Sequence, residues 1–351
     1  MNLPRISAER AEREQRLYDI RHEAEKSAGE LIRGESNAIP LQTPASPETG
    51  YYGTPALKKP QWTQEIPIYF FVGGFAGAAS LIAAVGDISS ADARLIRDSR
   101  WLAAIGGIIS PALLISDLGM PSRFLNMLRV FKIQSPMSVG SWTLVAFSNS
   151  AAATAVLGEL QRRRSNPAIR VMTGTAQAIS ALTGVILSTY TGVLIGATAI
   201  PAWNEHVTTL PIHFAASGTA TAAAILELRG NECAALNKIA LGAALLETVM
   251  GVSIERSSSP ASDALKCGSS GWAMRGAGFL SGPLPLGLRL LSLGSSRRKR
   301  GLRRAAAISS IAGSLLTRWA WVHAGKVSAQ DPSVPLQLNH RSTTNPEFAK
   351  L

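Results

Sequence analysis

Cysteine, histidine and charge are scarce: two cysteines, five histidines and 17% charged residues in 351. Each scarcity removes a class of protein. Cys233 and Cys267 cannot supply the set of thiolates that an iron–sulfur cluster needs, and nothing in the sequence argues for a disulfide between them. A membrane b-type haem wants facing histidines on helices, and His22, His206, His213, His323 and His340 offer few such ligands. No metal site is expected. Water-soluble domains average about a quarter charged residues, well above the fraction here. The start of the chain, MNLPRISAERAEREQRLYDIRHEAEKSAGE, is mixed in charge and has no apolar core, so it does not read as a secretory signal.

What the chain does have is apolar sequence in long runs, 46% hydrophobic residues in all. A bilayer-spanning helix needs about 20 mostly apolar residues. Eight runs approach this, at 66–86, 101–118, 139–158, 171–195, 207–226, 236–254, 270–292 and 303–322. The expected fold is therefore all-α, a polytopic integral membrane bundle of about eight transmembrane helices. The expected organisation is an N-terminal extramembrane arm (1–62), a transmembrane domain (63–322) and a C-terminal tail (323–351). In the first run, Gly73, Gly74, Gly77, Ala78 and Ser80 recur at helical spacing. Small residues let helix backbones approach closely in lipid, where dispersion replaces the missing hydrophobic force. Gly282, Pro283, Pro285 and Gly287 interrupt the seventh run, which reads as a kinked span or two half-segments.

The net charge is +12. Nucleic-acid binding is one reading of such a charge, but Lys and Arg occur here in short clusters between apolar runs. That pattern fits loops at an anionic membrane face, so the expected partner is a lipid bilayer and not nucleic acid. Alternate connectors differ in charge. One side carries Arg94, Arg97 and Arg100, then Arg162, Arg163, Arg164 and Arg170, then Arg229, and then the cluster 297–304. The other side carries Arg123, Arg129, Lys132, Arg256, Lys266 and Arg275. The bias places the first side in the cytoplasm and both termini outside, which is the periplasm for a bacterial inner-membrane protein.

The connectors are more specific than the spans. YYGTPALKKPQWTQEIPIYFFVGGFAGA (51–78), SDLGMPSRFLNMLRVFKIQSPMSVGSW (116–142), STYTGVLIGATAIPAWNE (188–205) and SLLTRWAWVHAGKVSAQDP (314–332) occur in this order. Together they resemble the NrfD/polysulfide-reductase (PsrC-like) membrane-anchor family. The resemblance implies a quinone-reactive membrane subunit without haem or iron–sulfur cluster of its own. Its exchangeable substrate would be a quinone, menaquinone or ubiquinone. Its implied partners are an iron–sulfur ferredoxin-like subunit and a molybdopterin or cytochrome catalytic subunit. The chain would serve a multi-subunit respiratory oxidoreductase and would not be catalytic alone.

Ionisable and phenolic groups at membrane depth are costly and default to functional candidates. Asp117 lies in SDLGMP, which resembles the family's Asp-Leu-Gly-Arg-Pro motif with Met120 in place of the Arg. It would relay protons to a quinone, or else cap a helix or pair with Arg123. Tyr190, among Ser188, Thr189 and Thr191, would donate to a quinone carbonyl or make an interhelical hydrogen bond. Gln64, Glu65 and Tyr69 open the first run, where the resemblance implies polar groups of the quinone pocket, often with a His that is absent here. Glu65 alternatively offsets the helix N-terminus. Glu247 sits mid-run in ALGAALLETVMGVS, in a proton path or a structural hydrogen bond. An unpaired carboxylate there is expected to carry its proton. Asp117, Tyr190 and Glu247 are thus the catalytic candidates, and Gln64, Glu65, Tyr69 and Tyr190 the quinone-binding ones. His206 and His213 read as interfacial, as do Trp62, Trp142, Trp203, Trp319 and Trp321.

Two other functions compete. A transporter or proton channel would use the polar fourth run, Glu247 and the broken seventh run. A purely structural anchor would have lost quinone chemistry along with the motif's Arg and the first-run His. The connector FLNMLRVFKIQSP mixes Phe, Leu, Met and Arg and is the expected docking surface for a partner.

Overall fold

A computed structural model describes residues 57–330 except Ser165 and 295–298. Among the described residues every regular element is helical. The long helices are α1 (Glu65–Ile88), α2 (Ala93–Leu118), α4 (Pro136–Arg163), α5 (Pro167–Gly196), α7 (Thr209–Leu228), α8 (Ala234–Arg256) and α12 (Lys299–Ser328). Short helices α3 (Pro121–Met127), α6 (Pro201–Asn204) and α9 (Asp263–Lys266) lie in the connectors. The seventh run is two helices, α10 (Gly268–Ser281) and α11 (Pro283–Gly294). Pro283 has no N–H to continue the ladder, so the helix stops at Gly282 and restarts.

Local sequence sets the boundaries. Asp92 caps α2 by accepting from the Arg94 N–H at 3.0 Å, and Gly119 ends it at φ 71°, a conformation that favours glycine. Asn166 caps α5 by accepting from the Ala168 N–H at 2.9 Å, with Pro167 at the first helical position. Five helices, α1, α2, α5, α7 and α8, are long and apolar enough to cross a membrane by length and composition. The three other expected runs are also helical, as α4, as the pair α10–α11 and as α12. The chain is a multi-pass helical membrane protein. α12 continues as helix to Ser328, past the expected span end at 322. Most of the expected N-terminal arm and the tail after 330 lie outside the described residues.

The helices form two groups. α1, α2, α4 and α5 pack as one bundle; α7, α8, α10, α11 and α12 pack as another. α1 joins them, lying against α2 and α5 on one side and α7 and α12 on the other. Its small residues make this possible. A methyl on Gly77 would overlap the Gly184 carbonyl of α5, and one on Gly218 of α7 would press on the Gly74 backbone. Ser80 tightens the α1–α5 contact by donating to the Ser180 carbonyl at 3.0 Å. The outer surface is apolar, with Ile108, Val171, Leu182 and Leu291 each more than 60% exposed, as a lipid-facing wall requires.

Candidate functional site

The connector between α5 and α7 folds inward. Trp203 of α6 is fully buried and stacks on Trp62 at 5.2 Å and 13°. Its indole N–H donates to the Trp321 carbonyl at 2.8 Å. Gly325 leaves room for it, because a Cβ there would overlap the indole. Trp203 and Trp321 are therefore core residues and not the interfacial anchors expected from their places near helix ends. α7 consequently starts inside the protein and carries its histidine with it. His213 is 4% exposed, which corrects the interfacial reading. His206, also buried, meets the Ser262 hydroxyl at 3.2 Å.

His213 faces the middle of α8. Its Nε2 lies 3.2 Å from Oε2 of Glu247, and the Ser281 hydroxyl donates to the same oxygen at 2.7 Å. Glu247 is 1% exposed and is paired, where the sequence suggested a lone carboxylate. The break after α10 places Ser281 here, at the last helical position before Gly282. His213 Nδ1 and Glu247 Oε1 have no partner among the described residues. Both residues line a cavity of about 400 Å³ between α8 and α10, with Thr248, Met274, Gly278 and Phe279. Val252 and Phe279 line it too and are 43% and 56% exposed, so the cavity opens at the apolar outer surface of the helices. Its outer rim carries the Glu255–Arg275 ion pair at 2.7 Å.

Arg318 of α12 lies behind His213. It is fully buried, donates to the Phe214 carbonyl at 2.8 Å and stands 4.2 Å over the Phe214 ring. Arg289 of α11, equally buried, pairs with Glu227 of α7: Nη1 donates to Oε1 at 3.0 Å, and Nη2 lies 2.7 Å from Oε2. Sequence reasoning missed both arginines. A single Arg inside an apolar run was the available signal.

The remaining candidates gather at one end of the first bundle. Asp117 Oδ1 accepts from the Thr63 N–H at 3.1 Å and from the Thr63 hydroxyl. It thereby ties the end of α2 to the chain two residues before α1. Arg123 is not its partner and donates instead to the Leu118 carbonyl at 3.0 Å. Gln64 accepts from the Trp319 indole at 2.9 Å. Glu65 occupies the first turn of α1. Tyr69 and Tyr190 are both buried, and the Tyr190 ring fills the space that Gly140 leaves free. Neither phenol makes a hydrogen bond among the described residues. Glu247 stands apart from all of these, in the second bundle. Among the described residues no group of three or more His, Cys, Asp or Glu side chains is placed to hold a metal.

The NrfD_2 family model, described as polysulfide reductase, matches residues 48–330. The chain belongs to this family. Membership makes it a membrane subunit of a redox complex, and NrfD-family membrane subunits generally partner with other redox subunits. The match covers every described helix, so the inward-folded connector and the His213–Glu247 pair both belong to the NrfD-type domain. A comparison with curated proteins found no match.

Proposed function

We propose that this NrfD-family subunit exchanges electrons between a membrane quinone and a partner iron–sulfur protein, with the ring bound in the His213–Glu247 cavity. The observation that carries the reading is a buried imidazole–carboxylate pair, each member with a polar atom that has no partner among the described residues, on a cavity that opens at the apolar outer surface. Ligand pockets are typically about 300–1,000 Å³, mostly apolar, with a few placed polar groups.

Quinone reduction adds two electrons to the ring and a proton to each oxygen. The oxidised carbonyl needs a donor, and a doubly protonated His213 offers Nδ1–H. Passing that proton to one ring oxygen leaves a neutral imidazole still donating Nε2–H to Glu247, while the second oxygen takes its proton from solvent at the cavity mouth. A quinol hydroxyl needs an acceptor, which Nδ1 of the neutral ring or Oε1 of Glu247 supplies. The partner supplies or accepts the electrons, since this chain has no set of cysteines for a cluster. Leu125, Val130, Phe131 and Ile133, each more than 55% exposed in the connector between α2 and α4, support docking of that partner there. The orientation drawn from Lys and Arg puts this connector outside the cytoplasm.

A second reading seats the quinone against Tyr69 and Tyr190, whose buried phenols make no hydrogen bond among the described residues. The two are separated by kinetics of the complex purified with its partners in mild detergent. The first reading expects Glu247→Gln and His213→Gln to slow quinol turnover by about two orders of magnitude while assembly persists. Unchanged quinol kinetics in both, with loss in Tyr190→Phe, favours the second. Unchanged kinetics in all three refutes the quinone assignment.

A further inference from the structure

At the other end of the first bundle from Asp117, a second cavity of about 400 Å³ opens between α2, α4 and α5. Its chemistry is the reverse of the first. Arg97 and Arg100 reach it from α2, Arg162 from α4 and Arg170 from α5, against only Asp87 and Glu159.

The four guanidinium groups are not equivalent. Arg100 is held in place, pairing with Asp87 at 3.2 Å and donating to Gln177 at 2.9 Å, and is only 12% exposed. Gly158 makes room for it, since a Cβ there would crowd its Nη1. Arg162 is offset by Glu159 at 3.2 Å. Among the described residues Arg97 has only Asp98, at 3.8 Å, and that carboxylate is already bonded by Asn231 at 2.9 Å and approached by Arg229 at 3.4 Å. Arg170 pairs with no carboxylate among the described residues. The cavity thus keeps an excess of positive charge, displayed by groups whose fork geometry suits phosphate oxygens.

Just inside this ring the surface turns apolar. Trp101 lines the cavity and is 39% exposed. Ile105 lies one turn deeper on the same helix and Val156 on the facing α4, 49% and 59% exposed. A mobile phosphate ion has no use for such a wall, whereas acyl chains do.

We infer that this cavity binds the phosphate headgroup of an anionic phospholipid, held by Arg97, Arg162 and Arg170, with its chains along Trp101, Ile105 and Val156. Basic pockets between transmembrane helices are suited to such headgroups. Arg100, fixed by Asp87 and Gln177, forms the floor and sets the depth.

The test uses the full chain with its partners, purified in mild detergent and then stripped of lipid. It is titrated with short-chain phosphatidylglycerol, short-chain phosphatidylcholine and inorganic phosphate, read by native mass spectrometry. Saturable phosphatidylglycerol binding is expected, weakened about tenfold by Arg162→Gln/Arg170→Gln. The control Arg129→Gln/Arg256→Gln, at the opposite end of the helices, retains it. If the double variant does not assemble, Arg170→Gln alone reports, because that side chain is exposed and pairs with no carboxylate among the described residues. Equal binding of phosphatidylcholine, unchanged binding in the Arg variants, or no lipid binding at all overturns the site. Inorganic phosphate binding as tightly as the lipid overturns the lipid assignment and leaves an anion site.

Discussion

Removing the charge of Glu227 should destabilise this subunit more than removing its principal partner, and the geometry gives the size of the difference. Glu227, in the last turn of α7, is 7% exposed and receives two guanidinium groups, Arg289 from α11 and Arg303 from α12. Arg289 is fully buried; apart from Glu227 its described side-chain partner is the Asn237 oxygen at 3.0 Å. In Glu227→Gln the Arg289 cation stays in the interior without an anion. Breaking a buried pair in this way costs about 3–5 kcal/mol, because the remaining charge is uncompensated. In Arg289→Met the carboxylate keeps Arg303, which is 12% exposed and brings solvent nearby. The loss there is closer to that of one charged hydrogen bond, about 1.5–3 kcal/mol. The double variant should be more stable than Glu227→Gln alone, since the stranded cation is gone. Equilibrium unfolding in mixed detergent–SDS micelles, followed by circular dichroism, gives all three values. Equal costs for the two single variants, or a Glu227→Gln cost below about 1 kcal/mol, would refute the claim that Glu227 is the electrostatic centre of the cluster.

Gly140→Val should displace the Tyr190 ring and cost about 1–3 kcal/mol of stability by overpacking, read by thermal unfolding of the purified subunit. Trp203→Ala should be among the most damaging single changes, about 3–5 kcal/mol, whereas exposed Trp272→Ala should stay within about 0.5 kcal/mol in the same assay. Asp117→Asn should leave the Thr63 contact geometrically possible yet weaker. Quinol turnover that survives this change means that Asp117 ties α2 to α1 and does not relay protons. Substitution of Phe131 and Ile133 by Ser should reduce co-purification of the redox partner without altering the subunit's own melting temperature.

The apolar runs were readable because a lipid-spanning helix must be apolar over about 20 residues whatever it packs against. Gly282–Pro283 announced the break in the seventh run for an equally local reason. What sequence spacing could not disclose was partnership across helices. Glu247 looked solitary because its partner His213 lies 34 residues away on another helix, and Ser281 as far in the other direction. His213 and Trp203 were assigned to the interface because they neighbour the end of a run. Nothing in the local pattern says that the connector folds inward. Arg289 and Arg318 were visible in principle, each a lone cation in an apolar stretch. Their salience was diluted by the many arginines flanking the same helices.

The placement of α1 has a consequence for how the chain is made. In its most apolar window α1 is 78% enclosed by protein, against 28% for α2, yet it precedes every other membrane-crossing helix in the described chain. Its contacts with α7 and α12 cannot exist until those helices leave the ribosome, more than a hundred residues later. Until then its glycine-lined flank faces lipid or the insertion machinery. Final assembly must therefore close around the oldest segment, and a chain halted before α7 would present that unfilled flank to quality control.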